Sequence, residues 1–99
     1  MVDDKNIPAV PVHPGEILTE EFLVPMELTQ TALADHIEVP VRRVNEICRG
    51  RRAVTAETAW LLAQAFGTSP QFWLNLQANC ELAVARNEGR VRSVATISE

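Results

Sequence analysis

Five arginines fall within eleven residues, at positions 42, 43, 49, 51 and 52, with a single acid, Glu46, set among them. Guanidinium groups at this density have two chemical uses. A planar fork can take the O6 and N7 acceptors of a guanine in bidentate fashion, and a more loosely held one can neutralise a backbone phosphate. Glu46 admits two roles: it can accept from a cytosine amino group, or it can orient Arg42 or Arg43, or pair with Arg49 across one helical turn. The competing explanation of such a run is a solvated helix face. Context has to decide between them.

That context is a pair of short helical patterns joined by a tight turn. Leu28, Ala32, Leu33 and Ile37 recur at helical spacing, with Thr29 placed as an N-cap and Gln30 and Thr31 in the opening turn. A second pattern starts at Pro40, where a missing N–H costs nothing, and Val44 and Ile47 give it a narrow apolar stripe. Arg42, Arg43, Asn45, Glu46 and Arg49 lie off that stripe, and Gly50 supplies a left-handed stop. The order of parts is that of a helix-turn-helix, whose second helix lies in the major groove of DNA.

The net charge of −4 over 99 residues argues against a nucleic-acid partner only until its distribution is considered. Residues 42–52 carry +4, so the remainder carries −8. One face is thereby aimed at phosphates while the others repel them, and the acidic remainder offers a surface to a basic protein partner. No nucleophile is spaced with a base, no ligand set with metal spacing and no phosphate-cradling glycine loop occurs, so an enzyme is the weakest reading and no cofactor or metal is expected. His13 and His36 complete no cluster, and Cys48 and Cys80 read as reduced, structural thiols. No apolar run approaches the roughly 20 residues of a membrane span, and the acidic, proline-broken beginning is unlike a leader peptide, so the expected location is cytoplasmic.

Three further helices are expected around this pair. His13-Pro14-Gly15-Glu16 opens the first, with Ile17, Leu18 and Phe22 along one face and Pro25 ending it. Thr55 caps a fourth, in which Ala56, Ala59, Trp60, Ala63 and Phe66 repeat at three and four and Gly67 stops the helix; Trp60 reads as core. Ser69-Pro70 opens a fifth, whose Phe72, Trp73, Leu76, Cys80, Ala83 and Val84 give it apolar surface on more than one side. Surplus apolar width suggests a dimer seam at Phe72, Trp73, Leu76 and Cys80; the alternative is burial of both faces within one chain by the N-terminal arm. Residues 1–12 read as that arm, 13–88 as the domain and 89–99 as a tail, with Arg86, Arg90 and Arg92 solvated.

The segments LTQTALADHI, VPVRRVNEICRGRR and TAETAWLLAQAFGTSPQFWLNLQ, with the leading HPGEIL, resemble the HigA antitoxins, also described as the VapI group, within the Xre-type, lambda-repressor-like helix-turn-helix family. The likeness runs from about His13 to Arg86. It implies a five-helix all-α DNA-binding domain that forms a homodimer, binds double-stranded operator DNA upstream of its own operon and neutralises a small basic ribonuclease toxin. The alternative is a stand-alone Xre-type transcriptional regulator with no toxin. Position by position, the resemblance implies a phosphate contact at Gln30, exposed recognition-helix positions at Val41, Arg42, Arg43, Asn45 and Glu46, and backbone contacts from Arg49, Arg51 and Arg52. Arg42 and Arg43 are the first choices for base contact. Where many relatives carry glycine in the turn this chain has Glu38, so the turn is either reshaped or strained.

Overall fold

The computed structural model describes residues 7–97, which form five helices and, among those residues, no strand. The first, α1 (Pro14–Ile17), begins where His13 Nδ1 accepts the Gly15 N–H at 2.9 Å, with Glu16 facing the dipole in the opening turn. It runs on as a π-helical stretch, Leu18–Leu23, in which the Thr19 hydroxyl donates to the Gly15 carbonyl and the Val24 amide reaches back five residues to Thr19. Helix α2 (Gln30–Ile37) starts from Thr29, whose hydroxyl accepts the Ala32 N–H at 3.0 Å. Helix α3 (Val41–Cys48) follows, then α4 (Ala56–Phe66) capped by Thr55 and α5 (Pro70–Asn87) capped by Ser69. Pro40 sits one place earlier than a first helical residue. Its extended backbone makes it the cap, and its carbonyl takes the Arg43 N–H at 2.9 Å.

Glu38 keeps the left-handed turn, with φ 58° and ψ 49°. The Val39 amide returns to Ala34 and the Glu38 amide to Asp35, the paired bonds that close a helix end when one residue turns left-handed. The strain expected there is therefore present, about 1 kcal/mol for a side chain in this region. A second glutamate, Glu27, does the same at φ 51° after the first helix.

The core is built from Leu18, Leu23, Leu33, Val44, Ile47, Leu62 and Trp73, all buried, with Phe22 and Phe66 packed against them. Phe22 lies 4.7 Å from Phe66 and 5.2 Å from Trp73, and Phe72 meets Trp73 edge-on at 5.1 Å. Trp73 is wholly buried, and its indole N–H donates to Thr68 Oγ1 at 2.8 Å.

Burial corrects three expectations. Trp73 and Cys80 are buried within this chain, 0% and 8% exposed, and so offer almost no surface to a second copy; Leu76 is half-buried against the core, and Phe72 keeps partial exposure. The apolar width of α5 arises because the helix packs against both α1 and α4. Trp60, expected inside, is 59% exposed: the buried stripe of α4 is Thr58, Ala59, Leu62 and Ala63, and Trp60 lies off it. Arg86, expected to be solvated, instead donates to the carbonyl of Pro8, while Asn87 donates to that of Ala9 at 2.7 Å, fastening residues 8 and 9 to the end of α5. Positions 1–6 of the expected arm and 98–99 of the expected tail lie outside the described residues.

Candidate nucleic-acid interface

Because Val44 and Ile47 are drawn into the core, α3 must present its other positions outward. Arg42 is the most prominent, its side chain 85% exposed, and Val41 beside it is also exposed. Arg43 behaves differently. It turns toward α4, where its guanidinium lies 3.6 Å from Glu57, and only 32% of the side chain is exposed. The two first choices for base contact are thus separated: Arg42 projects, and Arg43 is engaged between helices.

Helices α2 and α3 are tied at their working ends. Asn45 Nδ2 donates to Gln30 Oε1 at 3.0 Å, joining the middle of α3 to the first residue of α2. With its oxygen so used, Gln30 retains its amide donors for an anion at the N-terminus of α2, where the helix dipole also favours one. Glu46 is shared by two arginines: Arg52 binds Oε1 at 2.9 Å and Arg42 approaches Oε2 at 3.4 Å. The Arg52 hydrogen bond, reinforced by the charges of Arg52 and Arg42, holds the Glu46 carboxyl below the usual carboxylate range. The acid therefore stays ionised at neutral pH and orients Arg42 and Arg52; the Arg49 pairing is not the one adopted.

The turn after α3 is closed tightly. Gly50, at φ 72°, lets its own amide return to Ile47 at 2.9 Å and the Arg51 amide to Glu46 at 2.8 Å, which fixes where Arg49 and Arg51 leave the backbone. Both residues are exposed. Two positions that sequence reasoning passed over hold this turn in place. Gln77, buried in α5, accepts the Val54 N–H at 2.8 Å and donates to Glu81 at 3.1 Å, so the connection leaving the arginines is pinned to the last helix. Gly15 is the other: a Cβ there would lie 1.8 Å from the Ile47 carbonyl oxygen, so α1 rests directly on the backbone of α3. Only the first of these could have been suspected from sequence, as a polar residue inside an apolar pattern.

Among the described residues no three His, Cys, Asp or Glu side chains are placed to hold a metal ion. Cys48 and Cys80 are free thiols, and burial pushes both upward from the ordinary thiol range. No helix of the described residues is long and apolar enough to cross a membrane.

A helix-turn-helix family model, HTH_3, matches residues 20–73. Virulence-associated protein I of Dichelobacter nodosus is 47% identical over 77 residues, which span 78% of this chain and 71% of that protein. Antitoxin HigA-1 of Vibrio cholerae is 43% identical over 77 residues, 78% of this chain and 72% of that one. The solved structure of the Pseudomonas aeruginosa antitoxin HigA with the higBA promoter superposes with a TM-score of 0.76 at 42% identity, covering 81% of this chain and 88% of that chain.

Proposed function

This chain belongs to the Xre-type helix-turn-helix family, and from that membership we propose that it is an antitoxin that binds the promoter of its own operon. The observation that carries the reading is the linked set at the ends of α2 and α3: Gln30 bonded to Asn45, and Arg42 and Arg52 aligned on one carboxylate with Arg42 left projecting. Phosphate contacts set register and base contacts set sequence. In this chain Gln30, the amide end of α2, Arg49, Arg51 and Arg52 do the first, and Arg42 does the second through a guanine fork worth about 1–3 kcal/mol. Val41 sits beside Arg42 against the groove wall, and Arg43 contributes charge from its place against Glu57.

One copy offers few contacts. The protein therefore acts as a two-fold homodimer on half-sites about one helical turn, ~34 Å, apart, with residues 13–88 forming the domain and the stretches on either side extending from it. Phe72 stays a candidate contact between copies, since it keeps partial exposure on α5. The remainder of the chain carries −8, which suits a small basic partner; neutralisation of a ribonuclease toxin by direct binding is the role proposed for that acidic surface. The test is a gel shift with the DNA upstream of the gene, together with copurification against the product of the adjacent reading frame. A specific, salt-sensitive shift with a copurifying basic protein is expected. A shift without a partner leaves a stand-alone regulator, and no shift at any salt overturns the DNA reading.

A further inference from the structure

The HigA-like core leaves the histidine at the mouth of α1 without an assigned task. His13 is half-buried, and its ring stands between two clefts that share Gly50 as a wall. A Cβ built on Gly50 would meet the His13 side chain at 3.6–3.8 Å, so the imidazole stands beside the stop of the recognition helix. Its Nδ1 accepts the Gly15 N–H at 2.9 Å, and the cleft on its other side is lined by Gly50, Arg51 and Arg52. Two residues on, Gly15 lets α1 touch the Ile47 carbonyl and Cys48 Cα. One side chain thus spans the N-terminus of α1 and the backbone that carries Arg49, Arg51 and Arg52.

We propose that His13 is a positioning residue for the arginine-bearing turn: it fixes the Gly50–Arg52 backbone relative to α1, so that these arginines meet phosphates already in register. Ordering costs are met in the free protein, before DNA arrives, and affinity rises accordingly. A simple cap would ask only for an acceptor at Nδ1. The cover over Gly50 needs the whole ring. The inference rests on the DNA-binding reading for its consequence but not for its geometry.

The experiment compares His13→Asn and His13→Ala with the wild type, using full-length protein. Asparagine is a good cap for the Gly15 N–H, but it lacks the ring that covers Gly50. Thermal melting shows whether the cap is kept: His13→Asn melts close to wild type and His13→Ala melts lower. Amide hydrogen exchange then reads the turn itself. In His13→Asn the Gly50 and Arg51 amides, bonded to Ile47 and Glu46, exchange about tenfold faster while those of α4 are unchanged. With operator DNA, His13→Asn binds about tenfold more weakly while its salt slope stays that of the wild type, because the same phosphates are neutralised once the turn has been ordered. Unchanged exchange at Gly50 and Arg51 in His13→Asn overturns the proposal, and so does wild-type affinity for operator DNA. If the wild type itself fails to bind the upstream DNA, the functional reading falls, while the exchange measurement still decides what His13 does.

Discussion

Replacing Arg42 with alanine separates base reading from folding, because the structure assigns this side chain almost nothing to do within its own chain. Its side chain is 85% exposed, and its Nε approaches Glu46 at 3.4 Å across one turn, an arrangement that contributes little to stability in water. Glu46 keeps Arg52 at 2.9 Å after the change, so the acid is not stranded. Melting is therefore expected within about 3 °C of wild type. Binding is another matter. A guanine fork is worth about 1–3 kcal/mol, and a dimer on a palindrome loses two, so operator affinity falls by about 2–6 kcal/mol, or roughly 30-fold at the least. Random duplex of the same length loses far less, since the phosphates are held by other groups. Fluorescence anisotropy with labelled operator and scrambled duplexes at fixed salt gives both constants, and their ratio is the quantity to watch. Arg43→Ala is expected to reduce the ratio less, because Arg43 is already engaged with Glu57. If the double variant Arg42→Ala/Arg43→Ala discriminates operator from scrambled DNA as well as wild type does, sequence is read elsewhere and the assignment is wrong.

Other consequences can be checked on the protein without DNA. Gly15→Ala forces a methyl into the Ile47 carbonyl, which cannot yield as a side-chain tip would; a loss of about 2–4 kcal/mol is expected, with melting lowered by about 10 °C or more in calorimetry. Glu38→Gly relieves a left-handed side chain and should stabilise the domain by about 0.5–1 kcal/mol in urea unfolding, whereas Glu38→Ala, which keeps the strain and removes the charge, should not. His13 is held below its ordinary value of 6.5, chiefly by burial, so the unfolded chain takes up a proton before the folded one does. Its contribution to stability is complete above pH 6.5 and is lost as pH falls from there through the lowered folded value. Glu16, Glu20 and Arg49 share one cleft with His13 and Arg51, Arg52, Glu81 and Arg90 the other, and His13→Asn should flatten this part of the stability profile without touching the carboxylate region below it.

The elements themselves were legible because their ends are written in side chains. Thr29, Thr55 and Ser69 each accept the N–H three residues on, as their positions before apolar patterns implied, and Gly50 and Gly67 stop helices where a left-handed residue was needed. Glu38 could be foreseen because a turn of this kind demands that conformation whatever occupies it. Glu27 could not, since a glutamate advertises no left-handed turn and the conformation is imposed by α1 widening before Pro25 and returning to Leu28. The phase of α4 was equally hidden: alanine and leucine surround the helix, and only packing decides that Leu62 goes in and Trp60 stays out. Helix α5 looked too apolar for one chain because its neighbours on two sides cannot be counted from spacing. Both arginines at the start of α3 lie off the apolar stripe, yet what turns Arg43 aside is Glu57, fourteen residues away and visible only once α4 is folded back. Gln77 gave no signal of its partner for the same reason, its bond to Val54 crossing 23 residues.

The two tryptophans equip this small domain with reporters of opposite kind. Trp73, sealed among rings with its indole hydrogen-bonded to Thr68, emits from a dry environment, whereas Trp60 emits from water. Iodide should quench the second and spare the first. Melting shows itself as a red shift from Trp73, and any protein that settles on the outer side of α4 dims or brightens Trp60 alone, so loss of structure and arrival of a partner can be followed in one cuvette without a label.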